Sequence, residues 1–458
     1  VRLLLLFKGK QSSAARVVAL QMASSAPLKW GSLVVALAGV AIPVMLSSKR
    51  RQHLKMGAVG LQNNGNLCFF NSLMQSLAGV QAFSSFLEGV SRELEQNPAG
   101  ASFSGELHRL LGRLQVSVQD TLEPWPLIRR MQRDMATRQL DFANQQDVEE
   151  LWNLLMEIID KEATALGTDE EHRMSLASAG AEDAKSNASS RAEDAHQNPF
   201  MGFLGDSLRC SKCEKCRPMR LSRFFHISLD IPPNEAAPSV EDCISSWLHY
   251  EPVDDVECLS CSAREMMQSL SEEESLLRRI IDENGHSPGL DSNLGHVLQS
   301  KDTLDRALAT NDSRLVEELV GADSGFRLCR RTKYKQMLLV RSPDALCLHV
   351  NRRKFNASTG AFYKDQRRVE LTPSLALQDV RFDPNVALPK LTAVYKLMSI
   401  IVHHGGPNSG HFTTFRKDFT DDSKWHHLSD ETVRVVPFSE VAECRPYMLF
   451  YQKTAEQS

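Results

Sequence analysis

Two Cys-x-x-Cys pairs, Cys210/Cys213 and Cys258/Cys261, are separated by 44 intervening residues in a chain of 458. Four thiolates at the corners of a tetrahedron make a structural zinc site with no open coordination position. If both pairs hold one ion, two remote segments must fold against each other. The gap exceeds the loop of an ordinary zinc ribbon, and reduced free thiols are the alternative. Cys216 completes CSKCEKC and is a spare ligand. Ten cysteines are too few for a disulfide scaffold at this length, which places the body in a reducing compartment. Cys243, Cys329, Cys347 and Cys444 read as packing residues.

The chain is longer than a single core usually grows, so two or three lobes are expected. Its net charge of −4 is uneven. Residues 1–55 hold nine Lys/Arg and no Asp/Glu, which leaves −13 for the remainder. An acidic body argues against nucleic-acid binding and suits a partner with basic groups.

Residues 30–46, WGSLVVALAGVAIPVML, are 17 positions without a charge, followed by SSKRRQHLK. The run predicts a single transmembrane helix at the short end of what spans a bilayer, with its basic flank and everything after it in the cytosol. A cleaved signal peptide or a buried core helix are the alternatives. So short a span fits the mitochondrial outer membrane, with the endoplasmic reticulum as the other address. Residues 1–29 form a tail and 47–56 a basic linker. Met22 opens MASSAPLKW, so residues 1–21 read as upstream sequence rather than native protein.

From residue 57 to about 161 apolar residues recur at helical spacing, as in SGELHRLLGRLQVSV and QQDVEELWNLLMEIIDK. Residues 164–198 lack periodicity and read as a flexible insertion. Residues 265–320 read as a helical insertion. From Lys335 onward short strand-like runs dominate. The expectation is an α+β protein with a cleft between a helical and a β-rich lobe.

Cys68 stands where the turn NNGN enters a helix. A helix N-terminus and a nearby imidazole both stabilise thiolate, so Cys68 is a candidate nucleophile with a lowered pKa. Backbone N–H groups there, with the Asn63 side chain, can meet a developing oxyanion. The base must come from far along the chain. His411, in the Gly-rich run HHGGPNSGHFTTF, is the best candidate, because Gly410 leaves room for close approach; His403 and His404 are weaker.

GLQNNGNLCFFNSLMQSL (60–77) resembles the cysteine box of the ubiquitin-specific proteases. FANQQDVEELWNLL (142–155) resembles their QQD segment, and PDALCLHVNRRKF (343–355) their central strand block. SIIVHHGGPNSGHFTTF (399–415), WHHLSDETVRVV (425–436) and YMLFYQK (447–453) resemble their histidine box. The blocks occur in family order over residues 57–453. An apolar segment ahead of them is similar to the arrangement in the mitochondrial outer-membrane member.

The resemblance implies a papain-like cysteine peptidase with thumb, palm and zinc-binding fingers over residues 57–453, ending in a short tail, 454–458. It implies hydrolysis of the bond after the C-terminal glycine of ubiquitin. Cys68 would attack, His411 would carry the proton, and Asn63 would help hold the oxyanion. Ser429 stands where the family has Asp or Asn. A serine can fix the imidazole tautomer without supplying charge. Ser429 is expected to orient His411, with Asp430 in support.

Asp147 and Glu150, with Gln146 beside them, would line the channel for the arginine-bearing ubiquitin tail. The resemblance also assigns Cys210, Cys213, Cys258 and Cys261 to structural zinc, with no catalytic cofactor. It implies ubiquitin and ubiquitinated outer-membrane proteins as partners, no nucleic acid, and opposition to mitophagy. The competing readings are a weakly active ubiquitin-binding scaffold at a membrane and a zinc-stabilised adaptor.

Overall fold

The computed structural model describes residues 30–37, 40–47, 55–95, 102–117, 120–133, 142, 144, 146–166, 197–216, 220–233, 235–310, 316, 328–379, 391–407 and 409–457. It divides into two units, 1–54 and 55–458. Most of the 164–198 insertion, and much of 311–327, lie outside the described residues.

In the first unit the described backbone is an antiparallel hairpin, β1 (Trp30–Leu37) with β2 (Val40–Ser47). The described backbone here is extended where the sequence predicts a transmembrane helix. Val34, Val35, Val40, Ile42 and Val44 favour extended backbone. Among the described residues no helix is long and apolar enough to cross a membrane.

The second unit begins with β3 (Lys55–Met56) and β4 (Gly60–Leu61). The helical lobe follows: α1 (Cys68–Leu77), α2 (Gln81–Glu95) and α3 (Phe103–Gln115), then β5 (Val116–Ser117) and β6 (Thr121–Leu122), then α4 (Trp125–Met131) and α5 (Val148–Thr164). Ser102 caps α3 by accepting from the Gly105 N–H, and Asp147 caps α5 by accepting from the Glu149 N–H.

Next come β7 (Gly202–Cys210), β8 (Arg220–Phe224), β9 (Ile227–Asp230), α6 (Val240–Trp247) and β10 (Glu251–Glu257). A helical pair, α7 (Leu259–Asn284) and α8 (Pro288–Thr310), occupies most of the 265–320 stretch around its own small core, which includes Met266, Leu270, Val297 and Leu304. Then follow β11 (Arg330–Arg341), β12 (Ala345–Asn351), β13 (Arg353–Asn356), β14 (Ala361–Lys364), β15 (Ser374–Asp379) and β16 (Leu391–Gly405). The chain closes with β17 (Gly410–Lys417), β18 (Trp425–Ser429), β19 (Thr432–Val436), α9 (Phe438–Ala442) and β20 (Pro446–Gln457).

Two sheets carry the architecture. The larger has the order β19-β18-β17-β16-β20-β12-β9, with β15 also paired to β16; the smaller is β10-β11-β7-β8. In β12 successive side chains point to opposite faces. Ala345 and Cys347 join the core shared with the helical lobe, while Leu346, Leu348 and Val350 join the core on the other face. The large sheet is therefore covered on both sides, which is why PDALCLHV reads as a continuous apolar run rather than an alternation.

Every residue of α1 is buried. Its polar stripe lies against β16 and β17. Thr414 Oγ1 donates to the Ser72 carbonyl at 2.8 Å, and Ser399 Oγ to the Ser76 carbonyl at 3.0 Å. Arg416, 1% exposed, donates to Gln75 Oε1 at 3.0 Å and to the carbonyls of Gly57 and Leu114 at 2.9 and 3.2 Å. Burial of this cation lowers its pKa to about 10. These bonds set α1 on the sheet and so decide what faces its first residue.

Candidate active site

Cys68 is the first residue of α1, and His411 is the second residue of β17. The docking of α1 on β17 brings together residues 343 positions apart. The backbone N–H of Phe412, next to His411, points at the Cys68 sulfur, as do those of Phe69 and of Cys68 itself. The hairpin that delivers His411 is tight. His404 pairs with His411 and Gly405 with Gly410, and Gly405 has φ +108°. A Cβ on Gly410 would lie 1.9 Å from the His404 carbonyl oxygen, so only glycine fits there.

His411 Nε2 lies 2.9 Å from Ser429 Oγ and 3.8 Å from Asp430 Oδ2. Ser429 is thus the residue in hydrogen-bond contact with the imidazole. Asp430 is engaged elsewhere. Its Oδ2 accepts from Asn63 Nδ2 at 2.9 Å, and its Oδ1 from Asn71 Nδ2 at 2.8 Å. Its backbone is left-handed, φ +50°, which an aspartate at a tight turn tolerates. Asn63 in turn accepts from the Leu67 N–H at 3.0 Å, bracing the turn that enters α1.

The expected depression of the Cys68 pKa is not what the surroundings give. Burial pushes the thiol up, the Phe412 N–H pulls it down, and the Asp430 carboxylate pushes it up again; the net is a rise. The first turn of α1 is buried, so the cost of burying the thiolate outweighs the N–H groups. His403 stacks on Phe412 with centroids 4.5 Å apart, and burial lowers its pKa to about 4. His404 bonds Thr413 Oγ1 at 2.9 Å.

The tail-channel candidates divide. Both carboxylate oxygens of Asp147 accept from the Tyr447 hydroxyl, at 2.8 and 2.7 Å. Gln146 is half-buried beside it, and Glu150 is exposed. Glu149, which the sequence did not single out, is the carboxylate drawn inward. His226 Nε2 lies 3.0 Å from its Oε1, His349 Nδ1 3.3 Å from its Oε2, and Ser228 Oγ donates to Oε1 at 3.1 Å. His226 and then His349 hold its pKa far below the usual carboxylate range. The signal lay in HISL and LCLHV, where two histidines precede or occupy paired strands, but nothing local links them to Glu149.

In the smaller sheet's end region the Sγ atoms of Cys210, Cys213, Cys258 and Cys261 all lie within 4.8 Å of one another. Cys210–Cys261 and Cys213–Cys258 are 3.8 and 3.6 Å apart. Tetrahedral zinc with 2.3 Å bonds sets its sulfurs about 3.8 Å apart, so the set fits that ion. Against burial, the backbone N–H groups of Cys213 and Lys212 bring Cys210 down to about 6, whereas burial pushes Cys258 and Cys261 up. Four thiolates here therefore need a cation among them. Cys216 stands apart, 4.0 Å from Ser207 Oγ, and Cys329 is 2.6 Å from Glu265 Oε2.

A cysteine opening a buried helix that packs on the antiparallel strand carrying a histidine is the arrangement of a papain-like cysteine peptidase. The ubiquitin carboxyl-terminal hydrolase family model matches residues 59–451, and the chain belongs to that family. Ubiquitin carboxyl-terminal hydrolase 30 of Homo sapiens is 24% identical, covering 92% of this chain and 90% of its own length. Ubiquitin carboxyl-terminal hydrolase 27 of Arabidopsis thaliana is 22% identical over 86% and 85%. Among solved structures, the SAGA Ubp8/Sgf11/Sus1/Sgf73 DUB module bound to ubiquitin aldehyde shares the fold, with a TM-score of 0.56 and 18% identity over 90% of this chain and 72% of that one. The chain is a deubiquitinating cysteine peptidase.

Proposed function

We propose that Cys68 is the nucleophile and His411 the proton carrier in hydrolysis of the bond after the C-terminal glycine of ubiquitin. The observation that carries this is the seam itself: the Phe412 N–H on the Cys68 sulfur, with His411 Nε2 held by Ser429. Because the thiol is raised, His411 Nδ1 removes its proton as the sulfur attacks the carbonyl, rather than resting as a preformed ion pair. The Cys68 N–H and the second N–H of the Asn63 amide meet the oxyanion, the first being spent on Asp430. The imidazolium returns its proton to the leaving lysine amine. A thioester remains, and water activated by His411 releases ubiquitin. Ser429 orients the imidazole, and Asp430 sets Asn63 and the α1 entry.

Asp147, with Gln146 and Glu150, lines the path of the ubiquitin tail and attracts its arginines. The four cysteines hold a structural zinc ion that closes the fingers; its contribution is to folding alone. The apolar run 30–46 with its basic flank attaches the enzyme to the mitochondrial outer membrane, facing the cytosol, where ubiquitinated membrane proteins are its substrates and mitophagy is opposed. In a bilayer that run takes a helical form, since a two-stranded hairpin leaves its edges unsatisfied in lipid.

The test is incubation of the full chain with ubiquitin bearing a C-terminal electrophile. A covalent adduct that Cys68→Ala abolishes is expected; non-covalent binding without an adduct would mark a scaffold instead. Metal analysis is expected to find one zinc per chain, lost in Cys261→Ser. Imaging a fusion of residues 22–56 to a fluorescent protein tests the address, and diffuse signal would overturn it.

A further inference from the structure

A cavity of about 440 Å³ between α3 and α4 takes no part in the chemistry above. Arg109 and Arg113 of α3, Arg129 and Arg130 of α4, and Arg133 just beyond it line this space. Glu106 and Glu123 are the carboxylates among its walls, leaving a net +3. That concentration sits on a body whose other charges sum strongly negative.

Cations in the last turn of a helix are favourable against its dipole, which accounts for Arg113, Arg129 and Arg130. It does not account for Arg109 in the middle of α3, nor for Arg133. It also does not explain why all five meet one cavity. Arg109/Arg113 and Arg129/Arg133 are like-charged neighbours four residues apart, each pair unfavourable by itself. Among the described residues no ion pair neutralises Arg109, Arg129, Arg130 or Arg133.

We propose that this cavity binds a compact ligand carrying several phosphates, and that its source is the headgroup of an inositol phospholipid. Guanidinium forks match phosphate oxygens bidentately, and a multiply charged ligand answers several forks at once. The volume lies in the range of small-ligand pockets. The source follows from chain connectivity. β3 (Lys55–Met56) pairs with β5 (Val116–Ser117), which directly follows α3. Lys55 is therefore held beside the strand that follows α3, and in the sequence SSKRR (47–51) precedes it by three residues. The lipid source rests on the membrane attachment proposed above; the phosphate pocket does not.

The test uses the full chain and an Arg109→Gln/Arg130→Gln double variant at about 0.15 M ionic strength. Calorimetry with inositol hexakisphosphate is expected to show binding that the variant weakens by about tenfold or more. Adduct formation with electrophilic ubiquitin should be equal in both chains, which shows that the variant folds. Equal binding by the two chains, or an effect reproduced by sodium chloride at matched ionic strength, identifies an adventitious ion only and overturns the pocket.

Vesicles of phosphatidylcholine, with and without phosphatidylinositol bisphosphate, then separate the sources. An increment of binding that depends on the bisphosphate and vanishes in the variant supports the lipid. Soluble binding with no such increment overturns the lipid source. A chain that binds the phosphates yet forms no ubiquitin adduct refutes the peptidase reading and leaves the pocket standing.

Discussion

At His411 the imidazole meets a neutral hydroxyl at 2.9 Å, with the nearest carboxylate held off at 3.8 Å; at Glu149 two imidazoles close on the carboxylate itself, at 3.0 and 3.3 Å. Both places assemble histidines and acids in a half-buried setting, yet they do different things with charge. Glu149 is locked in its ionised form, and the histidines around it are fixed by it. The charge of Asp430 is spent on two amides, so the group in hydrogen-bond contact with His411 is a neutral hydroxyl. The acid beside His411 therefore braces the turn into α1, while the hydroxyl meets the ring.

The largest effect that can break this division comes from Asp430→Ala. Two charge-assisted hydrogen bonds are lost, each worth about 1.5–3 kcal/mol, and the Asn63 and Asn71 amides lose their shared acceptor. A marked fall in Tm and a loss of adduct formation of about a hundredfold are expected. If the variant melts like the parent and only turnover falls, Asp430 is an orienter of His411 after all. Ser429→Ala removes one neutral hydrogen bond, worth about 1 kcal/mol, so kcat should drop about fivefold with KM and Tm little changed.

Ser429→Asp sharpens the same point. A carboxylate on the imidazole raises its pKa, and a base must be neutral to act, so the acid limb of kcat/KM moves to higher pH. An unmoved limb would show that His411 does not work as a free base. In the resting chain, alkylation of Cys68 should rise with pH through a thiol titrating above the ordinary cysteine value of about 8.5. A plateau already reached near neutrality would reveal a standing ion pair.

The smallest effect belongs to Glu149→Gln. The folded-state pKa of Glu149 is depressed, so its stabilisation is complete above the unfolded value of about 4.3 and is lost as pH falls through the lower folded value. The variant should show a flatter dependence of Tm on pH in that acid window, and near-parental slope above pH about 5. An unchanged acid slope would mean that Glu149 titrates as an ordinary surface acid.

Much of the site could be read in advance because its residues sit in short, chemically distinctive runs. Cys68 at a turn into a helix, His411 in a Gly-rich hairpin, Ser429 after WHHL and the paired cysteines needed no knowledge of packing. What escaped the sequence depends on three-dimensional phase. Asn71, Ser72 and Gln75 look like the solvated stripe of an amphipathic helix, yet they are buried, Ser72 and Gln75 against β17 and Asn71 against Asp430. Arg416 reads as an exposed strand residue and is fully covered. Glu149 and Glu150 are equivalent as letters; the cap at Asp147 fixes the helix phase that turns one inward and leaves the other outside. The apolar run at 30–46 reads as a span from its length, its lack of charge and its basic flank, although its valines suit a strand as well.

Arg416 carries one further consequence, for synthesis rather than catalysis. The carbonyls of Gly57 and Leu114 and the Gln75 amide that solvate it leave the ribosome some 300 residues before it does. Until β17 emerges, those acceptors and the underside of α1 have no mate. A nascent chain stopped short of residue 416 is expected to hold an unfinished, chaperone-dependent lobe, and its thiol to become an enzyme's only near the end of translation.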